Sequence, residues 1–182
     1  MKMMTGRAHE EYIALRATIR DRGTTRVCVF AAGIVAWAAV AVASAALSST
    51  PVATLLPLLL LGSVFEAVYA LHVGVERVGR YLQVFHETDD GASWEQTAMA
   101  FGRPKGAASI DALFAMPFLL AAVFNVAPLL VADPTRAELV FVGGAHALFV
   151  LRLAVAREAA ARQRAIDLER FQQLKRETSR EP

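Results

Sequence analysis

The sequence predicts an all-α integral membrane protein: a four-helix bundle with an N-terminal amphipathic helix, whose second and fourth spans extend as cytoplasmic helices. Three observations predict it. Charged residues make up 20% of the 182 positions, yet they gather into blocks between long apolar runs in a chain that is 55% hydrophobic. A water-soluble domain of this length scatters its charges through every segment. Four of the apolar runs approach the roughly 20 residues a helix needs to cross a hydrocarbon layer. Finally, 18 of the 19 Lys and Arg residues fall on one side of those runs. Clustered positive charge resists translocation, so that side is expected to be cytoplasmic and the spans even in number.

Residues 5–22 read as a short amphipathic helix, with Ala8, Tyr12, Leu15 and Ile19 at helical spacing and Arg16, Arg20 and Arg22 around them. Gly23, Thr24 and Thr25 are expected to break and recap it. The first span, 27–47, is free of charge and dominated by alanine, with Gly33 and Ala36 among its small residues. In lipid, small residues let helix backbones approach, so this span is expected inside the bundle or at a subunit contact, with Gly33 and Ala36 as packing positions. A cleaved secretory leader is not expected, because the charged leader and the apolar core are both too long for one.

An uncharged turn through Ser48, Ser49 and Thr50 leads into the second span, 51–75, which holds Pro57, Gly62 and Glu66. Its helical pattern runs on without a breaker to about Glu87, with Gly79 as the one soft point. The composition then shifts to Asp, Gly, Ser, Pro and Lys, a cytoplasmic connection in which Trp94, Ala98 and Phe101 suggest a short interfacial helix. The third span, 112–132, carries Pro117, Asn125 and Pro128, which predict kinks and freed carbonyls. Asp133, Pro134 and Thr135 make the next turn. The fourth span, 139–156, contains His146 and Arg152 and continues as a charged helix to about Lys175. The sequence thus predicts one membrane domain, 1–182, with cytoplasmic parts 1–26, 76–111 and 157–182. Alanine- and arginine-rich usage suits an inner (plasma) membrane of bacterial type, with both termini cytoplasmic.

Polar residues inside the spans are the best functional pointers, because a charge in hydrocarbon costs about 2.5–3.5 kcal/mol on insertion scales unless paired or hydrated. Glu66 lies 15 residues after Pro51 and Arg152 lies 15 after Ala137. At about 1.5 Å of rise per residue both sit roughly 22 Å below the outer surface. Matching depth predicts that they approach each other, as an ion pair or through a bridging water. The alternative is a neutral Glu66 bonded to backbone or Tyr69 and an Arg152 that snorkels to the headgroups. His146, about 13 Å deep by the same rise, joins Glu66 and Asn125 in a broken polar ladder that protons or ions could use.

A second group lies where the second span ends: His72, Glu76 and Arg80 share a helix face, His86 and Glu87 close the same helix, and His9, Glu10 and Glu11 sit in the leader, expected on the same side. Such residues suit zinc or di-iron, but there is no HExxH and no repeated ExxH, so a solvated face laced by ion pairs is the plainer reading. Cys28 is the sole cysteine, which excludes an internal disulfide. No nucleotide-binding loop and no nucleophile elbow is found. No basic stretch is interleaved with stacking aromatics, so the basic balance, pI near 9.0, reports topology rather than nucleic-acid binding. No catalytic residue, cofactor or metal is assigned.

These features support, first, a small membrane scaffold or accessory subunit, oligomeric with itself or with a membrane-complex partner, its cytoplasmic helices offered to that partner. The second reading is a channel, pore or proton-linked transporter using Glu66, His146 and Arg152; the third is a metal-dependent membrane enzyme.

Overall fold

The computed structural model describes residues 6–47, 50–87, 97, 111–131 and 133–180. The predicted interfacial helix around Trp94, Ala98 and Phe101, with the rest of the central connection, lies outside them. Four α-helices are described: α1 (Gly6–Leu47), α2 (Leu55–Phe85), α3 (Asp111–Val131) and α4 (Arg136–Thr178). A 3-10 turn, Pro51–Thr54, leads into α2. No strand occurs among the described residues.

Three of these segments, Gly6–Ala46, Pro51–Phe85 and Arg136–Thr178, are long and apolar enough to cross a membrane; α3 is apolar over Ala115–Leu129. At about 1.5 Å per residue, α1 is roughly 63 Å long, about twice the thickness of a hydrocarbon core.

One expectation is overturned. α1 is not broken at Gly23–Thr25 but runs through it as a single helix. The threonines serve the helix instead of competing with it: Thr24 Oγ1 donates to the Arg20 carbonyl (3.1 Å) and Thr25 Oγ1 to the Asp21 carbonyl (2.8 Å). Each hydroxyl bonds one turn back within the helix. A glycine in a helix interior costs only about 1 kcal/mol relative to alanine, too little to end a helix supported on both sides. Gly79 likewise sits buried within a continuous α2.

The chain divides into two compact units. The first comprises Met1–Thr25, Ala70–Ser109 and Ala159–Pro182; the second comprises Arg26–Tyr69 and Ile110–Glu158.

The second unit holds the larger apolar core, in which Leu61, Val64, Val68, Ala121 and Leu153 are buried. At its centre each helix contributes one phenylalanine. Phe65 of α2 meets Phe118 of α3 and Phe149 of α4 edge to face, with centroids 5.2 and 6.2 Å apart, and Phe30 of α1 meets Phe118 at 5.6 Å. Edge-to-face pairs set the positive ring edge against the negative face and favour this geometry over a parallel sandwich. Gly33 is buried against α2, where an added Cβ would overlap the Val64 side chain. It is therefore a packing position within its own bundle. Ala36, one turn on, is exposed.

The turn between α3 and α4 carries Asp133 at φ 47°, a left-handed conformation that aspartate tolerates better than most residues. α4 then starts on a capping box. The Thr135 N–H and hydroxyl both donate to Glu138 Oε2 (3.0 and 2.8 Å), and the Glu138 N–H donates to Thr135 Oγ1 (3.3 Å). These bonds favour the carboxylate and hold Glu138 below its ordinary range.

The first unit is built from segments of α1, α2 and α4, and its core is smaller and more polar. Leu82, Val84 and Ala160 are buried there, but so is Arg80. An aromatic group of Tyr12, Tyr81, Phe85, His86 and Phe171 packs its three helical segments together, with Tyr81 stacked on Phe85 at 4.7 Å.

Candidate functional site

Within the second unit, Glu66 and Arg152 form a two-pronged ion pair. Arg152 Nη2 donates to Glu66 Oε2 at 2.8 Å, and Arg152 Nε lies 2.8 Å from Oε1. The planar guanidinium fork matches the carboxylate, the arrangement that gives both strength and orientation. Aromatic faces hold the guanidinium in addition, with its carbon 5.8 Å from the Phe65 centroid and 5.2 Å from that of Tyr69. The pair is closed on itself but not covered: the Glu66 side chain is 49% exposed and that of Arg152 39%.

Asn125 and His146 form a separate knot that is almost fully buried, at 3% and 7% exposure. Asn125 gives one Nδ2 hydrogen to the Thr54 carbonyl (2.8 Å) and the other to His146 Nε2 (2.9 Å). His146 Nδ1 lies 2.8 Å from the Val142 carbonyl one turn back. A carbonyl can only accept and the amide nitrogen can only donate, so Nδ1 carries the proton and Nε2 receives one.

The structure therefore does not string Glu66, His146 and Asn125 into one ladder. It makes two closed knots with the Phe65, Phe118 and Phe149 cluster in the same core, and every side-chain N–H in the Asn125 knot already has a protein acceptor. A proton passing through His146 would require the Asn125 amide to turn and give up Thr54.

The first unit carries the other predicted group. Glu76 is its hub, with Oε2 taking a hydrogen bond from Arg164 Nε on α4 (2.9 Å) and Oε1 lying 3.9 Å from His72 Nε2 and 3.8 Å from Arg80 Nη2. His86 turns away to α1, where its Nε2 is 3.9 Å from Glu11 Oε2. Glu11 also accepts the Tyr81 hydroxyl at 2.8 Å. Burial first, then this hydrogen bond and the carboxylate charge, raise the Tyr81 phenol above its ordinary value of 10.0. Arg77 to Asp167 (3.3 Å) and Lys175 to the Val84 carbonyl add further ties between α2 and α4. The Glu87 N–H donates to the Leu82 carbonyl (3.1 Å) just past the end of α2. Among the described residues, no three His, Cys, Asp or Glu side chains are grouped to hold a metal ion.

The chain matches no known family, no curated protein and no solved structure. Its function is therefore argued from its own side chains.

Sequence reasoning grouped Glu11 with His72, Glu76 and His86 by side but did not pair it, and it missed Arg164 and Thr54. Arg164 was legible as a charge on a helix face but not as a partner, and Thr54 acts through a backbone carbonyl, which every residue has.

Proposed function

We propose that this chain is a small multi-pass membrane scaffold or accessory subunit that associates laterally, as a homo-oligomer or with another membrane protein. In this reading α1, α2, α3 and α4 each cross an inner (plasma) membrane of bacterial type. Both termini lie in the cytoplasm, on the side that holds 18 of the 19 Lys and Arg residues, and the helices of the first unit are presented there to a partner.

The observation that carries the reading is the half-exposed pair of Glu66 and Arg152. In this reading it lies on a helix surface within the membrane, where polar groups face protein or a hydrated cavity. A second chain over that face meets the need. The apolar window of α1 supports the same conclusion, since only 6% of it is buried within the chain, against 39% and 28% for the windows of α2 and α4. Ala-rich surfaces of this kind let helices of neighbouring subunits approach closely. The closed geometry of both polar knots favours this reading over conduction.

The test is the mass of the purified protein in mild detergent. The wild type should be larger than a monomer, and the double variant Glu66→Leu with Arg152→Leu should shift to monomer while keeping its helical signal. A wild type that is monomeric in both mild detergent and nanodiscs overturns the proposal. A reporter fused to either terminus should be active only in cytoplasmic form.

A further inference from the structure

The outward faces of the four helical segments in the second unit differ in one respect. Arg152 apart, the exposed positions described in the stretches 27–47, 112–132 and 139–156 carry no charge, hydroxyl or amide. On α2 the exposed face carries Ser63 and Glu66. Ser63 returns its hydroxyl to the Leu59 carbonyl one turn back (2.9 Å). Glu66 is half-exposed, with Arg152 of α4 at its side, and apolar residues flank both. At about 100° per residue, Leu59 and Val52 stand within about 40° of Glu66 around α2, and Phe141 and Leu148 within about 40° of Arg152 around α4; all four are exposed.

Such a pair is its own complement. Copies of one chain in one membrane share their topology, so a two-fold axis between them runs along the membrane normal and preserves depth. Across that axis left and right exchange: an acid on the left of one face meets the base on the right of the other. The match requires acid and base at one depth, and the offsets of 15 residues from Pro51 and from Ala137 provide it. A different protein would have to carry its own base and acid in matching places, whereas a second copy carries them by symmetry. The guanidinium has a nitrogen for the purpose, since Nε and Nη2 form the two prongs to Glu66 and Nη1 lies outside them.

We propose that a second copy of this chain docks on this face about a two-fold axis, with Glu66 opposite the partner's Arg152 and Arg152 opposite the partner's Glu66. The four charges form a closed ring, and the apolar residues on either side shut lipid out. Lipid chains leave a half-exposed charge pair without further hydrogen-bond partners, and the ring supplies them. This contact rests on the lateral association proposed above and deepens it by naming the partner, the face and the symmetry.

The experiment co-expresses two full-length copies with different tags and reads the mixed-tag fraction in mild detergent. The exchange of Glu66→Arg with Arg152→Glu keeps the pair within each chain and its match to an identical copy, but sets like charges against the wild type. Wild type should mix with wild type, and exchanged chain with exchanged chain; wild type should mix with the exchanged chain about tenfold less, as like charges in contact demand. In a background of Cys28→Ser, which removes the natural thiol, a Leu59→Cys copy should cross-link to a Leu148→Cys copy through a short bis-maleimide. Free mixing of wild type with the exchanged chain overturns the two-fold contact, and so do cross-links formed only between Val35→Cys copies, on the exposed face of α1. The lateral association survives both results, with lipid or another protein on this face. A monomeric wild type overturns the lateral association itself. If the exchanged chain loses its helical signal, the cross-link between the Leu59→Cys and Leu148→Cys copies decides by itself, and its absence overturns the contact.

Discussion

The two units are held together by different chemistry. In the second, two groups of polar side chains close on each other beside the phenylalanine packing, Glu66 with Arg152 and Asn125 with His146 and Thr54, while the buried Trp37 Nε1 has no partner among the described residues. In the first, polar contacts are spread over three helical segments, through Glu76 with Arg164, Arg77 with Asp167, Tyr81 with Glu11 and Lys175 with a carbonyl. Under the proposed function, the difference follows from the solvent each unit faces. Water forgives a half-satisfied group by bonding to it, whereas hydrocarbon does not, so polar groups there must close on each other. That contrast fits the proposed division into a membrane part and a cytoplasmic part.

The sharpest way to break the comparison is to open one knot in the second unit. Arg152→Leu leaves Glu66 without its partner and should cost about 3 kcal/mol, the insertion cost of one uncompensated charge, read as a lowered melting temperature in lipid nanodiscs. The double variant with Glu66→Leu should recover most of it. If single and double variants melt alike, the pair does not lie in hydrocarbon.

Next in size is Gly33→Leu, which drives a side chain into Val64 and should destabilise the bundle by about 1–3 kcal/mol, as overpacking does. Ala36→Leu, one turn away on an exposed position, should leave melting unchanged and alter only oligomer mass. Equal melting losses at the two positions would contradict the packing of Gly33 against α2.

In the first unit a hub can be lost more cheaply. Glu76→Gln keeps the shape but removes the charge facing Arg164, Arg80 and His72, and should cost about 1 kcal/mol, less at high salt. The expected readout is faster hydrogen exchange in residues 159–178, with the second unit unaffected.

The smallest effect is alkaline. The Tyr81 phenol is raised above 10.0 in the folded protein, so the folded state keeps a proton that the unfolded chain releases. Its contribution to stability is complete below pH 10 and lost as pH rises through the folded value. Melting compared at pH 9 and pH 11 should therefore fall less steeply in Tyr81→Phe than in the wild type.

How much of this was legible depends on direction along or around the helix. Position along the axis advances by a constant rise, so the equal offsets of Glu66 and Arg152 were enough to bring them to one level. The run of α2 past residue 75 to Phe85 and of α4 to Thr178 was likewise readable from an unbroken pattern. Position around the axis advances by about 100° per residue, and no single sequence says how each helix is turned against its neighbours. Gly33 could therefore be recognised as a packing residue but not assigned to its own bundle. Asn125 and His146 could be recognised as buried but not joined to each other and to the Thr54 carbonyl. The continuity of α1 was missed for a more local reason, since a Gly-Thr-Thr run signals a break unless the hydroxyls bond back along the helix, and which they do depends on rotamer.

By itself, then, the sequence determined an all-helical chain with segments apolar enough to span a membrane, and it led to an expectation of four spans where three helices are long and apolar enough, because helical character and apolar length follow from composition and rise per residue alone. The tertiary structure decided which helix faces meet. It set the four-phenylalanine centre, the two-pronged grip of Arg152 on Glu66 and the tie of Asn125 to His146 and the Thr54 carbonyl, because each depends on how the helices are rotated about their own axes.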